Sequence, residues 1–139
     1  MSAPVALYPP HRLSVGERWC GRVAVVAAAL LLTATQARPH RIRRVLGVLR
    51  RSTREADLSH AQRAFEIVTT VSPRCAGGHH CLHRSLAVLL ACRLRGLRVT
   101  WRVGFRSPPP QAHAWVEVNG EPLCEPVDPR RIYTPSITV

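Results

Sequence analysis

The run CLHRSLAVLLACRLRGLRVTWRVGFRSPPPQAHAWVEVNGEPLCE, residues 81–125, decides the fold. It opens with a cysteine at the head of an apolar segment in which Leu82, Leu86, Leu89, Leu90 and Leu94 recur at helical spacing. Gly96 follows, where a helix C-terminus favours a left-handed residue. Leu97, Val99, Trp101, Val103 and Phe105 then alternate with Arg98, Thr100, Arg102, Gly104 and Arg106, which is the period of a half-buried strand. Pro108, Pro109 and Pro110 force a turn. Residues 112–118 read as a second strand, Asn119-Gly120 as a hairpin signal, and residues 121–127 as a third strand. A helix followed by a small antiparallel sheet makes the chain α+β.

Upstream, Pro4, Pro9 and Pro10 mark residues 1–11 as a loose arm. Residues 13–36 are helical, with an apolar centre at 23–32 and a stop near Pro39. That centre falls short of the ~20 residues a bilayer demands, so no transmembrane segment is expected. Arg22 before it and small residues after it have the look of a secretory signal, but the long proline-containing segment ahead favours a buried helix. Ile42, Val45, Leu46 and Leu49 share one face of a further helix, and Arg41, Arg43, Arg44, Arg50 and Arg51 form its solvated side. Ser52 and Glu55 have capping-box spacing for a helix that buries Leu58, Ala61, Phe65, Val68 and Val71 and ends before Pro73. Residues 72–80 read as a loop. The organisation is one domain over 1–139: a helical part at 1–71, a core at 72–128 and a tail at 129–139 with no assigned element.

Composition narrows the function. A chain of 139 residues supports a single core. The formal charge is +12 and every basic residue except histidine is arginine, which favours an acidic partner. Specific nucleic-acid binding is not expected, because interleaved aromatics and a recognition-helix motif are both missing. The five cysteines are odd in number and irregular in spacing, so a reducing, cytoplasmic setting and a reactive thiol fit better than a disulfide framework. Cys75, His79, His80, Cys81 and His83 are a zinc alternative whose spacing lacks the paired-ligand pattern, and neither a metal nor another cofactor is expected.

The reactive chemistry gathers at the ends of the quoted run. A thiol attacks as its thiolate, and the helix start at Cys81 stabilises an anion through its dipole and free N–H groups. The same N–H groups suit a developing oxyanion. His79, His80, His83 and His113 compete as the proton-transfer partner. His83 points about 200° around the helix from Cys81, whereas His113 shares a strand face with Trp115 and Glu117. A two-residue Asn119-Gly120 turn would pair His113 with Pro126 and put Glu125 on the opposite face. A three-residue loop 118–120 instead pairs Glu117 with Glu121 and sets Glu125 opposite His113, with Asp128 as the alternative acid. His80, Trp115, Arg84 and Ser85 are candidate substrate contacts, and Arg98, Arg102 and Arg106 are candidates for an acidic leader or partner.

Cys81-Leu82-His83-Arg84-Ser85-Leu86-Ala87 and His113-Ala114-Trp115-Val116-Glu117-Val118-Asn119-Gly120 resemble the corresponding motifs of the lasso-peptide B2 proteins. These are leader peptidases with a transglutaminase-like cysteine-protease fold, related to the microcin J25 processing enzyme. The resemblance spans residues 65–128 and rests on two separated motifs in the right order and spacing. It implies Cys81 as nucleophile, His113 as general acid and base, and Glu125 as third member, where the family often has aspartate. It further implies a precursor leader peptide as substrate and threonine at the penultimate leader position. A separate B1 protein would present the leader, and a macrolactam synthetase would act next. A transglutaminase-like acyl transferase shares the same chemistry.

Overall fold

The computed structural model describes residues 8–48 and 54–139. Leu49, Arg50, Arg51 and Ser52, on which parts of two expectations rested, lie outside the described residues. Helix α1 (Val15–Thr35) begins with a reciprocal capping box: the Ser14 hydroxyl accepts from the Glu17 N–H, and the Glu17 carboxylate accepts from the Ser14 N–H. Arg63 grips the same carboxylate at 2.8 Å, and together these bonds hold Glu17 down to about 2. Helix α2 (Pro39–Val48) starts at proline and buries Ile42 and Leu46.

The chain then departs from expectation. Arg54–Glu55 is a short strand, β1, parallel to β2 (Leu97–Arg98), and the Ala56 N–H bonds the Arg98 carbonyl. That pinning keeps the backbone extended through residue 56. Helix α3 (Leu58–Val71) therefore starts later than a cap at Ser52 would place it, with Asp57 accepting from the His60 N–H at 2.9 Å. Part of the loop assigned to 72–80 is a helical turn, α4 (Pro73–Ala76), capped by Ser72.

Helix α5 (Cys81–Leu94) stands between α1 and α3 on one side and the sheet on the other. It is consequently buried nearly all round rather than along one leucine stripe, and Leu94 projects into solvent. Gly96 takes the left-handed conformation expected after it, with φ 73°. Strands β3 (Thr100–Arg106) and β4 (Gln111–Val118) pair antiparallel, β5 (Glu121–Pro122) borders β4, and β6 (Thr134–Thr138) borders β3, giving the order β5-β4-β3-β6. Trp101, Val103, Ala114, Val116 and Val118 form the face packed on α5. The tail that carried no expected element thus completes the sheet, and Val139 exchanges both backbone hydrogen bonds with Trp101 at 2.9 Å.

α1 is not simply a buried helix. Gly21, Ala24, Ala28 and Thr35 face α3 and α5, while Val15, Trp19, Val23, Val26 and Leu30 stay at least half exposed along the other side. Its 21 residues are, by length and composition, enough to cross a membrane, which the shorter apolar centre alone had argued against. In the fold its small-residue face is packed. At Gly21 an added Cβ would lie 2.6 Å from Ile67 Cγ2, a buried branched side chain with no room to turn. Gly21→Ala is therefore expected to lower stability by about 1–3 kcal/mol despite alanine's better helix propensity. Urea denaturation checks this; an unchanged or higher midpoint would refute the tight α1–α3 contact.

Candidate active site

Of the two turns the sequence allows, the hairpin takes the shorter. Glu117 pairs with Pro122 and Val118 with Glu121, so the turn is the two-residue Asn119-Gly120, with φ 51° and 83°. Continued regularly, that register would put Pro126 opposite His113 and turn Glu125 to the other face. It is not continued. After Leu123 donates its N–H to the Val116 carbonyl, Cys124 adopts a left-handed φ of 53° and breaks the alternation. Glu125 is returned to the His113 side, and its Oε2 lies 2.9 Å from His113 Nε2.

The early end of β5 also opens the edge of β4. Because Val116 directs its carbonyl toward β5, Ala114, two residues back, directs its N–H to the same edge. No strand is there to receive it. The N-terminus of α5 arrives instead, and Ala114 donates to the Cys81 sulfur. With Nε2 committed to Glu125, Nδ1 is the His113 nitrogen left for the sulfur. The His113 and Glu125 side chains are 19% and 10% exposed, so the pair is shielded yet reachable.

The charges follow from this geometry. Burial pushes the Cys81 thiol up. The hydrogen bonds from His113 and Ala114, with the charges of His113 and Arg84, outweigh it and leave the thiol below its ordinary value. Burial alone would lower His113, but Cys81 and Glu125 raise it to about 9. The pair thus favours the ion-paired form, with a proton on the imidazole and negative charge on the sulfur, more than either group would alone. That form is lost as pH rises through about 9, and lost on the acid side when pH falls through the depressed thiol value. Cys92 and Cys124, without such partners, are pushed up to about 12 and about 11 by burial. At the start of α5, His80 offers no side-chain cap, and the first helical bond runs from the Arg84 N–H to the His80 carbonyl. The first-turn N–H groups beside Cys81 accordingly point out of the helix end.

Several expected substrate contacts prove to be framework. Arg84 is 7% exposed, donates to the carbonyls of Cys75 and Gly77, and lies 5.5 Å from the centre of the Tyr8 ring. It ties the preceding loop to the helix and adds positive charge near the thiolate. Ser85 is also buried, and its hydroxyl accepts from the Trp101 indole N–H at 2.9 Å. Trp115 is only 1% exposed; it backs the imidazole of His113, with ring centres 5.9 Å apart, and is not open to a substrate. His80 is exposed at the helix start. Asp128 is turned to Arg130, away from the imidazole. Arg102 pairs with buried Glu117 and Arg98 with Glu55, which leaves Arg106 as the one of those three without a carboxylate among the described residues.

The zinc alternative fails on placement. Cys75 is buried against Ser72, His83 bonds the Val25 carbonyl, and Cys81 faces His113. Among the described residues no group of three or more candidate ligands converges.

Two further residues shape the site without having been singled out. Tyr133 stacks on His113 with ring centres 5.4 Å apart. Gly104, paired with His113 across the sheet, leaves room for it: an added Cβ would meet Tyr133 at 2.9 Å and Trp115 at 3.0 Å. Gly104 occupied a polar position of the alternation, which was the available signal.

A helix-borne thiol, a strand-borne imidazole and a carboxylate behind it are the groups that thiol-dependent acyl transfer requires. A family model described as "Transglutaminase-like superfamily" matches residues 23–138, and the chain belongs to that superfamily. No curated protein and no solved structure matches.

At pH 7, iodoacetamide is expected to label Cys81 about tenfold or more faster in the native chain than in His113→Ala, where burial acts on the thiol without an imidazolium to oppose it. Equal rates by peptide mapping would refute the ion pair. Gly104→Ala is expected to cost about 1–3 kcal/mol in chemical denaturation, because Tyr133 and Trp115 must shift.

Proposed function

We propose that this protein is a cysteine peptidase that removes the leader from a ribosomally made lasso-peptide precursor. The observation that carries the catalytic part is the Cys81–His113–Glu125 arrangement, with Glu125 Oε2 2.9 Å from His113 Nε2. Superfamily membership supports the reaction class. The resemblance of the Cys81 and His113 motifs to the B2 proteins supports the substrate.

The Cys81 thiolate attacks the carbonyl carbon of the leader–core bond, and the oxyanion forms against the first-turn N–H groups of α5. The His113 imidazolium gives its proton to the core nitrogen, which leaves as an amine while the leader remains as a thioester on sulfur. Neutral His113 then takes a proton from water, and the hydroxide carbon–oxygen bond replaces the thioester. The leader departs as a carboxylic acid, and the thiolate–imidazolium pair is restored. Glu125 holds the imidazole in register and stabilises its charged form.

In this reading a separate B1 protein presents the leader, threonine occupies the penultimate leader position, and a macrolactam synthetase consumes the freed core amine, all in the cytoplasm. Membership of the superfamily also favours a transferase in which an amine replaces water; the mass of the leader product separates the two.

Precursor cleavage followed by mass spectrometry, with and without B1, tests the proposal. Cys81→Ala and His113→Ala are expected to abolish cleavage, and Glu125→Gln to slow it by about tenfold to hundredfold. Undiminished cleavage by Cys81→Ala would overturn it.

A further inference from the structure

Beyond the imidazole of His113 lie two adjoining hollows. The first, of about 250 Å³, is walled by His113 and Glu125 on one side and by Pro126, Val127, Ile132 and Tyr133 on the other. The second, of about 660 Å³, is walled by Phe105, Arg106, Gln111 and again Ile132. Because Ile132 borders both, a chain leaving the first enters the second. Away from His113 and Glu125 the first hollow is apolar, and apolar groups bordering both are open to solvent: Val127, Ile132 and Phe105 are 56%, 41% and 43% exposed. Exposed apolar groups concentrated in a depression beside a reactive pair mark a contact surface rather than ordinary solvated surface.

Charge fixes the chemistry at the far end. Arg106 lies 5.5 Å from the centre of the Tyr133 ring and donates to the Gln111 amide oxygen, so its guanidinium is held over the second hollow. Among the described residues it has no carboxylate partner, whereas Arg63, Arg102 and Arg130 all do.

Direction follows from proton transfer. His113 protonates the leaving nitrogen, so the peptide on the leaving side must depart past His113, where the first hollow opens. We propose that these hollows bind the leaving-group segment of a peptide substrate. An apolar side chain seats against Val127, Ile132 and Tyr133, and an acidic side chain further along pairs with Arg106. The direction of the chain rests on the peptidase reading; the binding chemistry does not.

Binding and cleavage are measured separately. The Cys81→Ala protein is titrated with short fluorescein-labelled synthetic peptides carrying an apolar residue followed by aspartate, or by asparagine, at successive positions. At one or two positions aspartate is expected to tighten binding about threefold to fivefold at low salt. Arg106→Gln removes that preference, and Arg106→Glu transfers it to peptides with lysine in place of aspartate. Ile132→Asn weakens aspartate and asparagine peptides alike, while Arg44→Gln on α2 changes nothing. Equal affinities for aspartate and asparagine peptides, or a preference that survives Arg106→Gln, overturn the proposal. The native protein is assayed on the same peptides. Binding preference without cleavage counts against the peptidase reading and leaves the subsite standing; cleavage with no aspartate preference in kcat/KM does the reverse.

Discussion

Ala114 has a backbone N–H that points to the edge of β4 and no neighbouring strand to accept it, because β5 pairs only as far as the Leu123–Val116 bond. A buried donor of this kind must be satisfied. The sulfur of Cys81 does so, best as an anion. The end of one short strand thus opens the edge where the helix docks, and its donor joins His113 in favouring negative charge on the sulfur. His113 and Glu125 then complete the arrangement from the same gap in the sheet.

The remainder of the fold holds those parts still. Trp101, fully buried, hooks its indole to Ser85 on α5 and so locks sheet to helix one turn beyond Cys81. On the opposite face Glu117 accepts from both Arg102 and the Trp115 indole, so a buried carboxylate is paired and the tryptophan behind His113 cannot tilt. Tyr133 stacks on His113 too, in the space Gly104 leaves open. The imidazole is therefore fixed by a carboxylate at one edge and by aromatic rings on its faces.

Much of this was legible in the residues. The alternation from Leu97 to Val103 and the leucines of 81–95 located the sheet and the central helix, because burial imposes period on sequence. Alternation alone brings Glu125 beside His113 only through the longer loop; the chain takes the shorter turn and reaches the same contact by breaking the alternation. Two left-handed residues at Asn119 and Gly120 select the shorter turn, and the compensating left-handed residue is Cys124, a type that gives no sign of positive φ. Arg84 and Ser85 read as candidate substrate contacts from their place at the start of the helix; Trp101 and the carbonyls of Cys75 and Gly77, their partners in the fold, are invisible in that local window. β6 carries Pro135 and little apolar pattern because it is an edge strand whose Ile137 alone joins the core margin. Its pairing is a long-range fact that no local window contains.

The outward stripe of α1 has a colloidal consequence. Val15, Trp19, Val23, Val26 and Leu30 give each molecule an adhesive flank, while a formal charge of +12 holds copies apart. Salt shortens the reach of that repulsion to about 8 Å at physiological ionic strength and leaves the apolar attraction intact. On these terms contact between two such flanks is opposed in dilute buffer and favoured in concentrated kosmotropic salts.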